Sequence, residues 1–173
     1  MNKLIVIILL FSIQLLHAQK FIGHDGKILF FSEAPMEDIS AVNDKVSAVF
    51  DASTTDLVFQ LKISDFIFPK ALMQEHFNEN YLESDVYPKS TFLGKVVHNE
   101  NGKATVDGDL TIHGKTNKIR VDGVLFQNKK SVIISADFGI KLEDYNIKIP
   151  RILMYKIAEE IEIKVNIELK EIK

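Results

Sequence analysis

The sequence predicts an all-β chain folded into a single closed antiparallel β-barrel of about eight strands, with one short amphipathic helix over it. Three observations carry this. Apolar and polar residues alternate over most of the chain after Lys27, as in strands with one dry and one wet face. Turn pairs such as Asn101-Gly102 and His113-Gly114 fall between successive runs. Around Met73, Phe77 and Tyr81 alone, the period of two gives way to a spacing of four. No repeat or linker divides the pattern, and full closure is how an antiparallel sheet disposes of its edges.

Taken in order, residues 1–18 read as a secretory signal peptide. A basic start at Lys3 precedes the apolar run Leu4 to Phe11, and Ala18-Gln19 supplies a small residue at a cleavage site. Gln14 and His17 shorten the run below the roughly 20 apolar residues that a spanning helix needs. The barrel domain is then 19–173, in the periplasm or outside the cell. It has no cysteine, hence neither a disulfide nor a lipidated N-terminal thiol, and must rest on packing and ladder hydrogen bonds.

Ile28 to Phe31 is apolar on both faces; Val46, Ala48 and Phe50 form the next inward set, and Leu57, Phe59, Leu61 and Ile63 the third. The helix follows Pro69, which suits a first turn, and Pro88 stops it from running on. Its stripe is to be buried either as a lid over the barrel or as a simple core patch. Phe92 and Val96 mark a fourth strand. The clearest alternation comes next: Ala104, Val106, Gly108, Leu110 and Ile112, then Ile119, Val121, Gly123 and Leu125. Beyond Asn128-Lys129, the inward set is Val132 to Leu142 at every second position, and the last strand has Ile161, Ile163, Val165, Ile167 and Leu169.

Chemistry is not signalled. The histidines of the barrel domain, His24, His76, His98 and His113, sit in separate segments without metal-ligand spacing. There is no thiol, no Gly-x-Ser-x-Gly elbow and no phosphate loop; Asp107 and Asp109 share the wet face of one strand. No cofactor or metal is expected, and catalysis is not. Lys and Arg number 21 against 24 Asp and Glu, without a basic stripe, which disfavours nucleic acid as a partner. What the chain has in quantity is aromatic apolar surface, 12 Phe and 4 Tyr. Many of them, among them Phe30, Phe31, Phe50, Phe59, Phe66, Phe68 and Phe77, lie in its first half. An eight-stranded barrel is either filled by such side chains or holds one small ligand.

Three stretches resemble the YceI-like family: His76-Phe77-Asn78-Glu79-Asn80-Tyr81-Leu82-Glu83-Ser84 with Tyr87-Pro88 and Thr91-Phe92; Gly108-Asp109-Leu110-Thr111-Ile112-His113-Gly114 with Thr116; and Phe138 with Asp144-Tyr145-Asn146-Ile147. The opening segment Gly23 to Pro35 departs from the family's aromatic-rich start. The resemblance implies a lipocalin-like barrel, exported in bacteria, whose tunnel binds an isoprenoid or other lipid-like chain, with a membrane only as a source of ligand. It assigns no oligomeric state. Leu72, Met73, Phe77 and Tyr81 then form one wall of the ligand site, joined by Phe92, Phe138 and Tyr145. Two rivals stand beside this reading: an exported structural or stress-related barrel with a filled core, and an isomerase or cyclase using Asp65, Asp137 or His76 inside the barrel.

Overall fold

A computed structural model describes residues 19–33, 38–149 and 158–172, so the expected leader 1–18 lies outside the described residues. Eight strands form: β1 (Lys20–Ser32), β2 (Ile39–Asp51), β3 (Asp56–Lys62), β4 (Lys89–Glu100), β5 (Lys103–Ile112), β6 (Lys115–Gln127), β7 (Ser131–Lys141) and β8 (Glu160–Glu171). Each pairs antiparallel with the next and β8 returns to β1, closing the barrel as the alternation predicts. The helix is also present. A short α1 (Ala71–His76) runs into a π-helical turn over Phe77–Tyr81, between β3 and β4. It ends well before Pro88. The Leu82 amide donates to the Phe77 carbonyl at 2.9 Å, and Glu83, at φ 44°, turns the chain away.

The two ends of the barrel differ. At the base, where the β2–β3, β4–β5 and β6–β7 turns lie, Phe21, Phe50, Leu57, Leu125, Val132 and Leu169 are buried in one packed cluster. Here β1 carries irregularities between Gly23 and Ile28. A side chain at Gly26 would meet Ile167 Cγ1 at 2.8 Å, so the glycine lets β8 press its core residues inward. The base is a plug.

The other end, the mouth, is crossed by the long connections. A short 3₁₀ turn (Ile63–Asp65) leads through Phe66 and Phe68 to α1, and another (Leu142–Tyr145) follows β7. Two ladders stop short of this end. Pairing of β2 with β3 runs only from Asp51–Asp56 to Ser47–Gln60, and pairing of β6 with β7 only from Gln127–Val132 to Gly123–Ala136. The other ladders continue to the mouth, as Lys141–Glu160, Ser32–Ile39 and Ile112–Lys115 show. The barrel is thus one closed ring at its base and two four-stranded half-shells above.

Candidate apolar ligand site

Between the half-shells lies a cavity of about 220 Å³. Inward residues of the strands build its walls: Ile28 and Phe30 of β1, Phe59 of β3, Val106 and Leu110 of β5, Ile119 and Val121 of β6, Phe138 and Ile140 of β7, Ile161 and Ile163 of β8. The barrel is therefore plugged at one end and hollow at the other. No charged side chain is among the lining residues described. The few polar ones are partly engaged elsewhere: Ser90 Oγ donates to the Thr111 carbonyl at 2.8 Å, and Ser32 Oγ accepts the Ala158 amide at 2.9 Å. Burial pushes the Tyr81 phenol above its usual range, so at the cavity wall it is a neutral hydrogen-bonding group across the physiological range.

The helix segment covers the cavity. Phe77 stacks on Phe30 with ring centroids 5.8 Å apart, and meets Phe66 at 5.5 Å and Phe68 at 4.8 Å. Met73 packs against the same cluster. The stripe of Met73, Phe77 and Tyr81 acts as a wall of the cavity rather than a patch on a filled core.

Of the residues singled out from sequence, Met73, Phe77, Tyr81, Phe92 and Phe138 come together around this space. Two do not. Leu72 is 63% exposed, because it sits one position, about 100° of helix, away from Met73. Tyr145 is only 2% exposed but is packed beneath the mouth beside Leu82 and Ile147, outside the lining. Sequence reasoning counted Phe66 and Phe68 only as part of the aromatic stock of the first half; they line the cavity from the loop before α1. Their spacing of two just before Pro69 was the available signal. Of the seven phenylalanines named above, Phe50 belongs to the base plug.

Phe92 owes its place to two glycines. Gly94 and Gly108 face each other across the β4–β5 ladder, and the Phe92 ring lies over both. A methyl at Gly94 would stand 2.5 Å from Phe92 Cζ, and one at Gly108 equally close. Without side chains there, the ring lies flat on the barrel wall and leaves the centre open.

The mouth is held by a clasp at the tip of the β5–β6 hairpin. His113 and Gly114, at φ 50° and 71°, make the two-residue turn. The His113 side chain, 11% exposed, places Nε2 at 2.7 Å from Glu83 Oε2 and Nδ1 at 3.2 Å from the Tyr145 carbonyl. Tyr87 meets its ring edge-on at 4.5 Å. One side chain thereby joins the helix-bearing connection, the β5–β6 hairpin and the turn after β7. The groups considered for catalysis are elsewhere: Asp65 pairs with Lys45, Asp137 with Lys164, and His76 Nδ1 lies 2.9 Å from Asn80 Oδ1, none of them lining the cavity.

Known structures share this architecture. The Burkholderia cenocepacia protein BcnA superposes with a TM-score of 0.73 at 19% identity, over 83% of this chain and 95% of that one. A polyisoprenoid binding domain from Saccharophagus degradans, implicated in plant cell wall breakdown, gives 0.77 at 11% identity, over 90% and 99%. The Campylobacter jejuni YceI protein gives 0.68 at 20% identity, over 82% and 90%. At such identities the likeness is one of fold. No curated protein matches the chain by sequence. The model of the YceI-like domain matches residues 17–169, nearly the whole barrel, and the chain belongs to the YceI-like family.

Proposed function

We propose that this protein is an exported binding protein that holds an isoprenoid-type lipid in the upper half of its barrel and does not transform it. The observation that carries the reading is the hollow: an apolar space, with no charged side chain among the described lining residues, above a packed base. An empty apolar cavity costs about 24 cal/mol per Å³, on the order of 5 kcal/mol for this one if it stays dry. A hydrocarbon chain removes that cost and adds roughly 0.8 kcal/mol for each CH₂ it buries. The relative described as a polyisoprenoid binding domain supports the choice of chain chemistry. Met73, Phe77, Tyr81, Phe92 and Phe138 are the contacts we assign to the ligand, with Tyr81 available to a polar end group.

Export follows from residues 1–18, whose removal after Ala18 would leave Gln19 as the first residue. Native mass spectrometry of the protein taken from an envelope or secreted fraction, with organic extraction of what it carries, tests both parts. One isoprenoid per chain on a polypeptide beginning at Gln19 is expected. An empty protein that also takes up no added polyprenol or quinone would refute the binding reading, and an uncut N-terminus would refute export.

A further inference from the structure

The two shortened ladders lie four strands apart in a ring of eight, so they face each other across the cavity. They are closed very differently. Across the β2–β3 seam, Val42 and Ile67 exchange two backbone hydrogen bonds, of 3.1 and 2.9 Å. Asn43 Nδ2 donates to the Lys62 carbonyl at 2.9 Å, Lys45 pairs with Asp65 at 3.7 Å, and the Phe30, Phe66, Phe68 and Phe77 rings fill the space behind. That seam is a spine.

Across the β6–β7 seam the described hydrogen bonds lie at its two ends. Below is the last ladder pair, Gly123–Ala136. Above, at the rim, Asn117 Nδ2 donates to the Asp144 carbonyl at 2.6 Å, and His113 reaches the Tyr145 carbonyl. Between them lie the lips, residues 118–122 of β6 and 137–141 of β7, about 17 Å long at the strand rise. Their inward side chains, Ile119, Val121, Phe138 and Ile140, line the cavity itself. Their outward charges pair within their own half-shell: Lys118 with Asp109 at 3.2 Å, Arg120 with Asp107 at 2.6 Å, Asp137 with Lys164 at 3.5 Å. Thr105 likewise donates to Asp122 inside one half-shell. Among the described residues no ion pair ties one lip to the other.

We infer that the β6–β7 seam is a lateral portal, through which a hydrocarbon chain passes into the cavity when the half-shells swing apart about the β2–β3 spine. This rests on the reading of the cavity as the ligand site. Among the described residues, parting these lips breaks no ladder pair and no cross-lip charge pair, only the two rim contacts that Asn117 and His113 make to the turn after β7, whereas opening the opposite seam breaks two backbone bonds and an aromatic cluster. A side door also spares the bulky connections over the mouth from having to unfold.

The chain has no cysteine, so thiol pairs can be placed at will. Extending the register beyond Gly123–Ala136 sets Lys118 opposite Lys141, both exposed. The variant Lys118→Cys/Lys141→Cys, stapled with a short bis-maleimide, locks the portal; Val42→Cys/Ile67→Cys, oxidised, locks the spine. Stopped-flow fluorescence with NBD-labelled geranylgeraniol reads both. The portal staple should slow uptake and release together by about tenfold or more with little change in Kd, and the spine disulfide should change neither. Equal rates in both locked forms and the unlocked protein, or equal slowing by both locks, would overturn the portal. If the unlocked protein takes up no prenol, the binding reading fails, and spin labels on the same two pairs decide the seam alone. A broader distance distribution across 118–141 than across 42–67 supports the portal, and two equally narrow ones overturn it.

Discussion

Gly94→Ala is the sharpest test of how this barrel stays hollow. The added methyl would fall against Phe92 Cε1, at 2.5 Å from Cζ and 3.0 Å from Val106 Cγ1, all of them side-chain atoms. The ring must swing off the wall into the cavity, and overpacking of this kind costs about 1–3 kcal/mol. Removing the ring should remove the cost. In a Phe92→Ala background the two tightest contacts of the new methyl are gone, leaving Val106 Cγ1 at 3.0 Å as the nearest, and alanine is better than glycine inside a strand by roughly 0.5–1 kcal/mol. Gly94→Ala should then be near neutral, giving a coupling of about 1–3 kcal/mol between the two positions. Gly108→Ala provides the contrast, because its methyl would also stand 2.7 Å from the Gly94 Cα, a backbone atom that cannot rotate away. Its cost should persist without Phe92. Urea unfolding followed by far-ultraviolet circular dichroism measures all five variants on a chain that has no tryptophan. If Gly94→Ala costs the same with and without Phe92, within about 0.5 kcal/mol, the ring is not what the glycine accommodates.

Other outcomes follow from the same contacts. His113→Ala deletes two hydrogen bonds and the edge contact with Tyr87, and should cost about 2–3 kcal/mol in urea unfolding. A loss under about 0.5 kcal/mol would mean that the clasp holds nothing. Leu72→Ala, at an exposed site, should leave stability within about 0.5 kcal/mol and prenol affinity unchanged, while Met73→Ala weakens binding; a Kd shifted equally by both would place the helix wrongly. The Arg120 guanidinium holds the Asp107 carboxyl below its usual value, and hydrogen bonds from Ser53 and Thr54 do the same for Asp51 and Asp56. Such groups stabilise the fold above the ordinary carboxylate range, near pH 4, and lose that contribution as pH falls through their lowered values. Asp107→Asn should therefore be less stable than the parent at neutral pH, and the gap should close on acidification below about pH 4, as read by thermal unfolding across pH.

Much of the barrel could be read from residue alternation, and the reason is physical. Each strand from β5 onward has one face on the core and one in water, so its period of two is imposed residue by residue. Thus Ala104 to Ile112 and Ile161 to Leu169 face inward as their spacing requires. The helix was legible from Met73, Phe77 and Tyr81, but its end was not. Proline marks where a helix cannot continue, whereas here the π-helical turn and the left-handed Glu83 end it earlier, through contacts with the rest of the mouth. Leu72 and Tyr145 lie off the cavity lining for related reasons. One residue of helix phase separates Met73 from solvent, and a buried aromatic beside a cavity has the same sequence signature as one lining it.

What alternation cannot carry is the extent of pairing between neighbours. Each lip of the β6–β7 seam keeps a strand-like pattern, because it is still paired on its other side, Val121 with Val106 and Phe138 with Ile163. Nothing in either strand records that the ladder between them stops at Gly123–Ala136. The same limit decides hollow against filled. Thirteen-residue strands such as β1, β2 and β6 supply the same inward apolar residues whether or not those residues meet at the centre. Here Phe21 and Phe50 stack at 6.4 Å in the base, where the strands remain paired around the ring. Near the mouth the half-shells hold their aromatic residues against opposite walls, Phe30 under the helix and Phe92 flat over its two glycines. The hollow is thus a consequence of the two interrupted ladders, and a chain engineered to extend the β6–β7 pairing to the mouth should lose cavity and side door together.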